Sequence, residues 1–330
     1  MYRMTANRRG SLVGILRIVS MAGAGGIVHG HSVLTAYPAP RVLGSFARTI
    51  KAAGCRWVET IHDQTLIERY PMMDGHTRSV YPEILSRADR IVAIGEPLAE
   101  FLVSLGIPRS LIVAGSPLLP VLTAGHKPPT DGLDRFSRFA AERRPLLATV
   151  GAAYQLYDYG TILRAFESLR REEPRAGLVI LNGTFSPDPD YLAGLHVILE
   201  RLHDSVLWVD DMPNDEVLKV LHAADVFIRG AAKDSFGISR AEALMAGTPT
   251  VATPTGRTEF MTLYEHGDAA GLLSAARLAL RGDADSMTQQ GSAYFTNHAN
   301  ASFGQVLEAY ASVSDDPHLA SAVAKWGISR

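Results

Sequence analysis

Lys233-Asp234-Ser235-Phe236-Gly237-Ile238-Ser239-Arg240-Ala241-Glu242-Ala243-Leu244, with Gly247-Thr248-Pro249-Thr250-Val251-Ala252-Thr253 close behind, reads as loop, helix, glycine stop and buried strand. A short apolar run, Val226–Arg229, precedes it as a further strand. The N-terminus of the helix, expected over Gly237–Met245, offers free N–H groups and the positive end of the helix dipole, a natural seat for an anion. Gly237 lets a backbone approach that seat closely. Asp234 stands before the helix, and Glu242 lies about a turn and a half into it, where a carboxylate can accept both hydroxyls of a ribose. The plainer reading makes Asp234 or Ser235 a helix cap and Glu242 a solvated helix residue. The strand, loop, helix, glycine, strand context favours the binding reading, with a phosphate and a sugar hydroxyl pair held side by side.

The same alternation runs through most of the chain. In the first half, candidate strands fall at Ile27–His31, Trp57–His62, Arg90–Ile94 and Leu111–Ala114, with helical patterns such as Val42–Ala53 and Pro97–Leu105 stopped by Gly54 and Gly106. The stretch Ala124–Arg144 is rich in proline, glycine and charge and reads as a linker with one short helix. Strands then recur at Leu146–Val150, Gly177–Leu181, Val206–Val209, Val226–Arg229 and Thr250–Ala252. Helices fit Tyr159–Arg171, Asp190–Leu202 and Asp215–Ala223, and the tail from Asp268 reads as two or three helical segments. Doubly apolar strands joined by helices imply parallel sheets. The expected fold is therefore α/β: two doubly wound, Rossmann-like domains over residues 1–123 and 145–300, a linker at 124–144, and a C-terminal helical segment at 301–330 packing back on the first domain. In such sheets ligands bind outside the carboxyl ends of the strands, here toward a cleft between the domains.

With 330 residues, a formal net charge of −2 and one cysteine, Cys55, the chain has room for two domains, no global pull onto nucleic acid and no internal disulfide. A cytoplasmic setting, at most at the inner face of a membrane, is expected. Arg3, Arg8 and Arg9 before an apolar run from Leu12 to Val28 superficially resemble a signal peptide. Arg17 interrupts the run, and Leu12, Ile15, Leu16 and Val19 form the stripe of an amphipathic helix, so a core-packing helix is preferred.

Asp234 and Glu242, with Phe236-Gly237 between them and Gly247-Thr248-Pro249 after, resemble the E-x7-E signature of the retaining glycosyltransferases of family 4, which have the GT-B fold. Asp234 stands where that family usually has its first glutamate. Val28-His29-Gly30-His31, Thr60-Ile61-His62-Asp63, Ala88-Asp89-Arg90-Ile91-Val92-Ala93 and Leu221-His222-Ala223-Ala224-Asp225-Val226-Phe227 are similar to further family segments. The resemblance implies transfer of a sugar from a nucleoside-diphosphate donor to a hydroxyl, with retention and with no resident cofactor or metal. It places the phosphates at Ser235, Phe236, Gly237 and Ile238, the ribose at Glu242, the sugar hydroxyls at Asp234 and the sugar near the reaction centre at His62. The acceptor it implies is a glycan, a lipid-linked or a small-molecule hydroxyl, in cell-envelope or exopolysaccharide synthesis, with peripheral membrane association compatible.

Two departures modify that expectation. The family usually carries an arginine and, five residues on, a lysine after the glycine that ends the linker-proximal strand, and both contact the donor diphosphate. That glycine is Gly151, and the matching positions hold Ala152 and Tyr157. Arg229, at the end of the strand before the signature, either substitutes for the pair or is a plain surface charge; Lys233 and Arg257 are weaker candidates. Secondly, the family's first domain normally opens with a strand and a glycine-rich loop, whereas this chain begins at what resembles a later helix, so the first domain is expected to be incomplete. These departures keep two alternatives open: a non-catalytic GT-B subunit that serves an active transferase, and a sugar-nucleotide epimerase on the same fold.

Other candidates are weaker. His31 and Asp63 are each either core or capping residues or cleft contacts. Asp188-Pro189-Asp190 spells D-x-D, but helix capping at Asp190 explains it better. No His/Cys set has metal-ligand spacing, and no G-x-S-x-G elbow marks a hydrolase.

Overall fold

The computed structural model describes residues 20, 22–31, 40–62, 66–117, 119, 130–183, 188–234, 236–318 and 321. The expected N-terminal helix around Leu12–Val19, as well as Asp63 and Ser235, lies outside the described residues. The chain divides into two compact units, Met1–Leu118 with His298–Arg330, and Leu119–Asn297.

In the first unit β1 (Ile27–His31), β2 (Arg56–Ile61), β3 (Arg90–Ile94) and β4 (Ile112–Gly115) form a parallel sheet in sequence order. Helices α1 (Pro40–Ala52), α2 (Gly75–Leu85) and α3 (Glu96–Ser104) connect them. Each connection steps one strand over in the same direction, and right-handed crossovers then place all three helices on one face. That face is the core: Trp57, Ile61, Ile91 and Ala93 pack with Phe46 and Ile50 of α1, Tyr81 and Leu85 of α2, and Leu98 and Leu102 of α3. The opposite face, through Val58, Val92 and Ile94, packs against Ala309, Tyr310 and Val313 near the C-terminus. Helix α2 was not legible in the sequence because Pro82 lies inside it. Its start is fixed by Asp74, which accepts from the Thr77 amide at 2.9 Å and the Thr77 hydroxyl at 2.6 Å.

The second unit holds β5 (Leu146–Gly151), β6 (Gly177–Asn182), β7 (Val206–Asp210), β8 (Val226–Arg229), β9 (Thr250–Ala252) and the short β10 (Thr262–Leu263), all parallel, in the order β10-β9-β8-β5-β6-β7. The chain winds outward from β5 in one direction, returns to lay β8 against the other side of β5, and winds outward again. This is the doubly wound order, and its switch point lies between β5 and β8. Among the described residues this unit holds six helices whole, α4 (Asp131–Glu142), α5 (Tyr159–Glu172), α6 (Pro189–Arg201), α7 (Asn214–Ala223), α8 (Ile238–Met245) and α9 (Ala269–Leu280), and the first part of α10 (Asp285–Ala311), whose last turns belong to the first unit.

Leu147, Ile180, Ile228 and Val251 face α5, α6 and α9 on one side. Leu146, Ala148, Val179 and Phe227 face Phe136 of α4, Leu218 and Leu221 of α7 and Ala243 of α8 on the other. Both faces of every central strand are covered, which is why these strands read as continuous apolar runs. Helix α4 occupies most of the expected linker. Its N-cap, Thr130, accepts from the Leu133 amide, and Thr130 itself donates its amide at 2.8 Å and its hydroxyl to the buried carboxylate of Glu216. In the tail, α9 and α10 are helices, the second 27 residues long.

Candidate functional site

The doubly wound rule directs attention to the carboxyl ends of β5 and β8, which are Gly151 and Arg229. Four of the residues singled out in the sequence, Gly151, Tyr157, Arg229 and Asp234, meet there. The Arg229 Nη1 donates to the carbonyl of Val150 at 2.7 Å, and its Nε donates to Asp234 Oδ2 at 3.0 Å. The same guanidinium lies over the ring of Tyr157, 4.7 Å from its centroid, a favourable cation–π arrangement. Tyr157 in turn packs on Gly151: a Cβ added to Gly151 would fall 2.8 Å from the tyrosine ring. Glycine, aromatic ring and guanidinium thus form a stack. The tyrosine that replaces an expected lysine supports an arginine from the neighbouring strand. Ala152, the other departure, is buried.

Helix α8 begins after Gly237, which has φ +76° and acts as N-cap without a side-chain hydrogen bond. No Asp234 cap forms, because that carboxylate turns to Arg229. Gly237 has a second reason to be glycine. The place of its Cβ lies 2.8 Å from Arg240 Cδ and 3.1 Å from Arg240 Nε, so an arginine stem fills the space beside it. Residues 239–244 are all buried. Glu242 is 5% exposed rather than solvated, and Asn214, the first residue of α7, donates to its Oε1 at 3.1 Å. Burial pushes the Glu242 carboxyl up; the Asn214 hydrogen bond and the Arg229 charge pull it back only in part.

Arg240 is the residue that sequence reasoning missed. It is fully buried, and its pKa falls to about 10, chiefly through burial, with Asp234 raising it and Arg229 lowering it. A basic residue inside a run of small apolar residues, between two glycines and under a doubly covered sheet, was the available signal: such a helix has no solvated face to offer.

The first unit carries its own polar cluster at the carboxyl ends of β1 and β2. His62 Nε2 lies 3.0 Å from His31 Nδ1, with the two rings stacked at 5.3 Å. His29 sits between Tyr310 OH at 2.6 Å from its Nδ1 and Thr60 Oγ1 at 2.7 Å from its Nε2. Burial, with the neighbouring imidazoles adding to it, lowers His29 to about 3 and His62 to about 4; burial also lowers His31. All three are neutral imidazoles at pH 7. The sequence brings out His62 and His31, but not Tyr310, whose contact spans 281 residues.

In the D-x-D stretch the cap is Asp188, which accepts from the Asp190 and Tyr191 amides, and Asp190 is inside the helix. Arg257 bonds Tyr294 OH at 2.9 Å and Glu259 at 3.3 Å. Among the described residues no group of His, Cys, Asp and Glu could hold a metal ion, and no helix is long and apolar enough to cross a membrane.

Two Rossmann-like units with parallel sheets, the second switching direction beside a charged cluster, define the GT-B fold, and the comparisons agree. Residues 132–275 match the family model described as Glycosyl transferases group 1. The chain is 27% identical over 275 residues to a D-inositol 3-phosphate glycosyltransferase of Nocardia farcinica, covering 77% of this chain and 60% of that protein. It is 29% identical over 124 residues to a mannosylfructose-phosphate synthase of Agrobacterium fabrum, covering 36% of this chain and 27% of that protein. The chain spans 60% and 54% of the length of two D-inositol 3-phosphate glycosyltransferases, from Nocardia farcinica and Corynebacterium jeikeium. Among solved structures, a glycosyltransferase from Rickettsia africae superposes with a TM-score of 0.64 at 13% identity, covering 95% of this chain and 84% of that one. HepE from Anabaena, solved in complex with UDP-glucose, superposes with a TM-score of 0.62 at 14% identity, covering 98% and 85%.

Proposed function

We propose that the protein is a glycosyltransferase that moves a sugar from a nucleoside-diphosphate donor to a hydroxyl acceptor with retention of configuration. The observation that carries this reading is the cluster of Arg229, Asp234 and Glu242 at the switch point of the second unit. A cation, a paired carboxylate and a buried carboxylate stand within one strand–loop–helix segment. The donor class is further supported by HepE, a fold relative solved with UDP-glucose, and the transferase class by the names of the curated relatives.

The assignment is as follows. The diphosphate rests on the amides at the start of α8, from Phe236 to Ile238 and beside Gly151, with Arg229 as its cation in place of the pair lost at Ala152 and Tyr157. Glu242 takes the ribose hydroxyls and Asp234 the sugar hydroxyls. No side chain need act as a covalent nucleophile. The acceptor oxygen bonds to the anomeric carbon, the bond to the diphosphate breaks on the same face, and the departing phosphate oxygen takes the acceptor proton. The chain contributes position and charge rather than a resident cofactor.

The test is release of nucleoside diphosphate from a panel of sugar nucleotides, with and without phosphorylated polyols and simple glycosides as acceptors, followed by NMR of any product. The reading expects release with one donor and an anomeric configuration matching that donor; an inverted product rejects retention. The reading as a non-catalytic subunit has Ala152 and Tyr157 in its favour, and tight donor binding with no release under any acceptor would select it.

A further inference from the structure

Arg240 joins three segments that the fold brings to the carboxyl ends of β8 and β9. Its Nη1 donates to the carbonyls of Thr255 and, at 3.2 Å, Arg257; its Nη2 donates to Thr255 Oγ1 at 3.1 Å. Thr255 Oγ1 passes its own proton to the Ala231 carbonyl at 3.1 Å, and Thr253 Oγ1 reaches the same carbonyl at 2.5 Å. The Nη2 also stands 3.9 Å from Asp234 Oδ2, the same oxygen that accepts from Arg229 Nε. One guanidinium therefore fixes the loop after β9, residues 253–257, to the loop after β8, residues 230–234, from inside helix α8. Its Nε is buried with no hydrogen-bond partner, and its stem fills the space beside Gly237. A fully buried arginine is costly unless most of its donors are used. Here the donors go to two carbonyls and a hydroxyl of the loop after β9, while the contact with the loop after β8 is the approach to the Asp234 carboxylate.

Charge supports the same role. Arg229 paired with Asp234 alone would be neutral. With Arg240 also beside that carboxylate, the three groups sum to one positive charge, so Arg229 keeps attraction for an anion while bonded to Asp234.

We propose that Arg240 is a positioning residue for the nucleoside diphosphate: it makes the loop Thr253–Arg257 a fixed wall of the donor site and holds Asp234 and Arg229 in register with it. The proposal rests on the donor reading above. A lysine keeps the charge but cannot span Thr255, Arg257 and Asp234 from one nitrogen.

The experiment uses the full chain and Arg240→Lys, with Arg240→Met as a second variant. Binding of UDP, ADP and GDP is measured by calorimetry, and amide hydrogen exchange is followed without ligand. The expected result is at least tenfold weaker binding of whichever diphosphate the wild type takes, at least tenfold faster exchange over 253–257, and unchanged exchange in β5 and β6, which excludes general unfolding. Arg240→Met is expected to bind more weakly than Arg240→Lys, because it also removes the charge. Faster loop exchange with unchanged affinity makes Arg240 merely structural and overturns the proposal, as does unchanged exchange in both variants. A wild type that binds none of the three diphosphates overturns the donor reading itself, and this is distinguishable because it does not involve a variant.

Discussion

Gly237 combines φ +76° with a Cβ position 2.8 Å from Arg240 Cδ. An alanine there meets the left-handed penalty of about 1–2 kcal/mol and must also displace a buried arginine. Gly237→Ala is therefore expected to lower unfolding free energy by about 2 kcal/mol or more, measured by urea denaturation. A change below about 0.5 kcal/mol would mean that the helix start relaxes freely. Glu242 gives the opposite sign. Its folded pKa lies above the ordinary value of 4.5, so the native state holds the proton more tightly than the unfolded chain. Stability attributable to this group falls as pH rises from 4.5 through the folded pKa. Glu242→Gln, which keeps an acceptor for Asn214, is expected to raise the melting temperature at pH 7 and to match the wild type below about pH 4. A less stable variant at pH 7 would show that the carboxylate is stabilised by its neighbours. Residue types at this scale were legible in part. Asp234 and Glu242 stand out by their spacing, one before helix α8 and one within it. The pairing of Arg229 with Asp234, and the burial of Arg240, depend on which way side chains turn beneath a sheet, and spacing does not encode that.

At the scale of elements, the strands were readable because each central strand is covered on both faces and so is apolar throughout. Helix α4 was obscured by Gly132 and the prolines before it. That glycine serves close packing, since a Cβ there would fall 2.9 Å from Val209 Cγ1. Gly291 inside helix α10 likewise serves close packing: it lies where Phe260 and Leu244 press in, with a built Cβ 2.8 Å from Phe260 Cβ. The ends of β1 and β2 carry a consequence for pH. His29 faces Tyr310, Thr60, His31 and His62. Its folded pKa of about 3, and that of His62 at about 4, lie below the ordinary 6.5. The unfolded chain binds more protons in that window, so stability is fully present above pH 6.5 and falls as pH drops toward 4 and then 3. The slope of unfolding free energy against pH between 6.5 and 4 is expected to fall by about one proton in His29→Gln. An unchanged slope would mean that His29 titrates normally.

Over the whole molecule, both parallel sheets were legible from alternation, and the second has the doubly wound order expected of it. In the described residues the first keeps plain sequence order, β1 to β4, with no reversal; that order follows from which strands pair, a long-range choice that local patterns leave open. The central claim concerns the second unit: its switch point binds a nucleoside-diphosphate sugar through Glu242. The most direct test is the thermal shift of the full chain against a panel of UDP-, GDP- and ADP-sugars, with Glu242→Ala alongside. The account expects one donor class to raise the melting temperature of the wild type by several degrees, as saturating ligand at about 100 times its Kd adds about 2.7 kcal/mol, and Glu242→Ala to lose that shift. A wild type unmoved by every donor, or a Glu242→Ala variant shifted as far as the wild type, would contradict it.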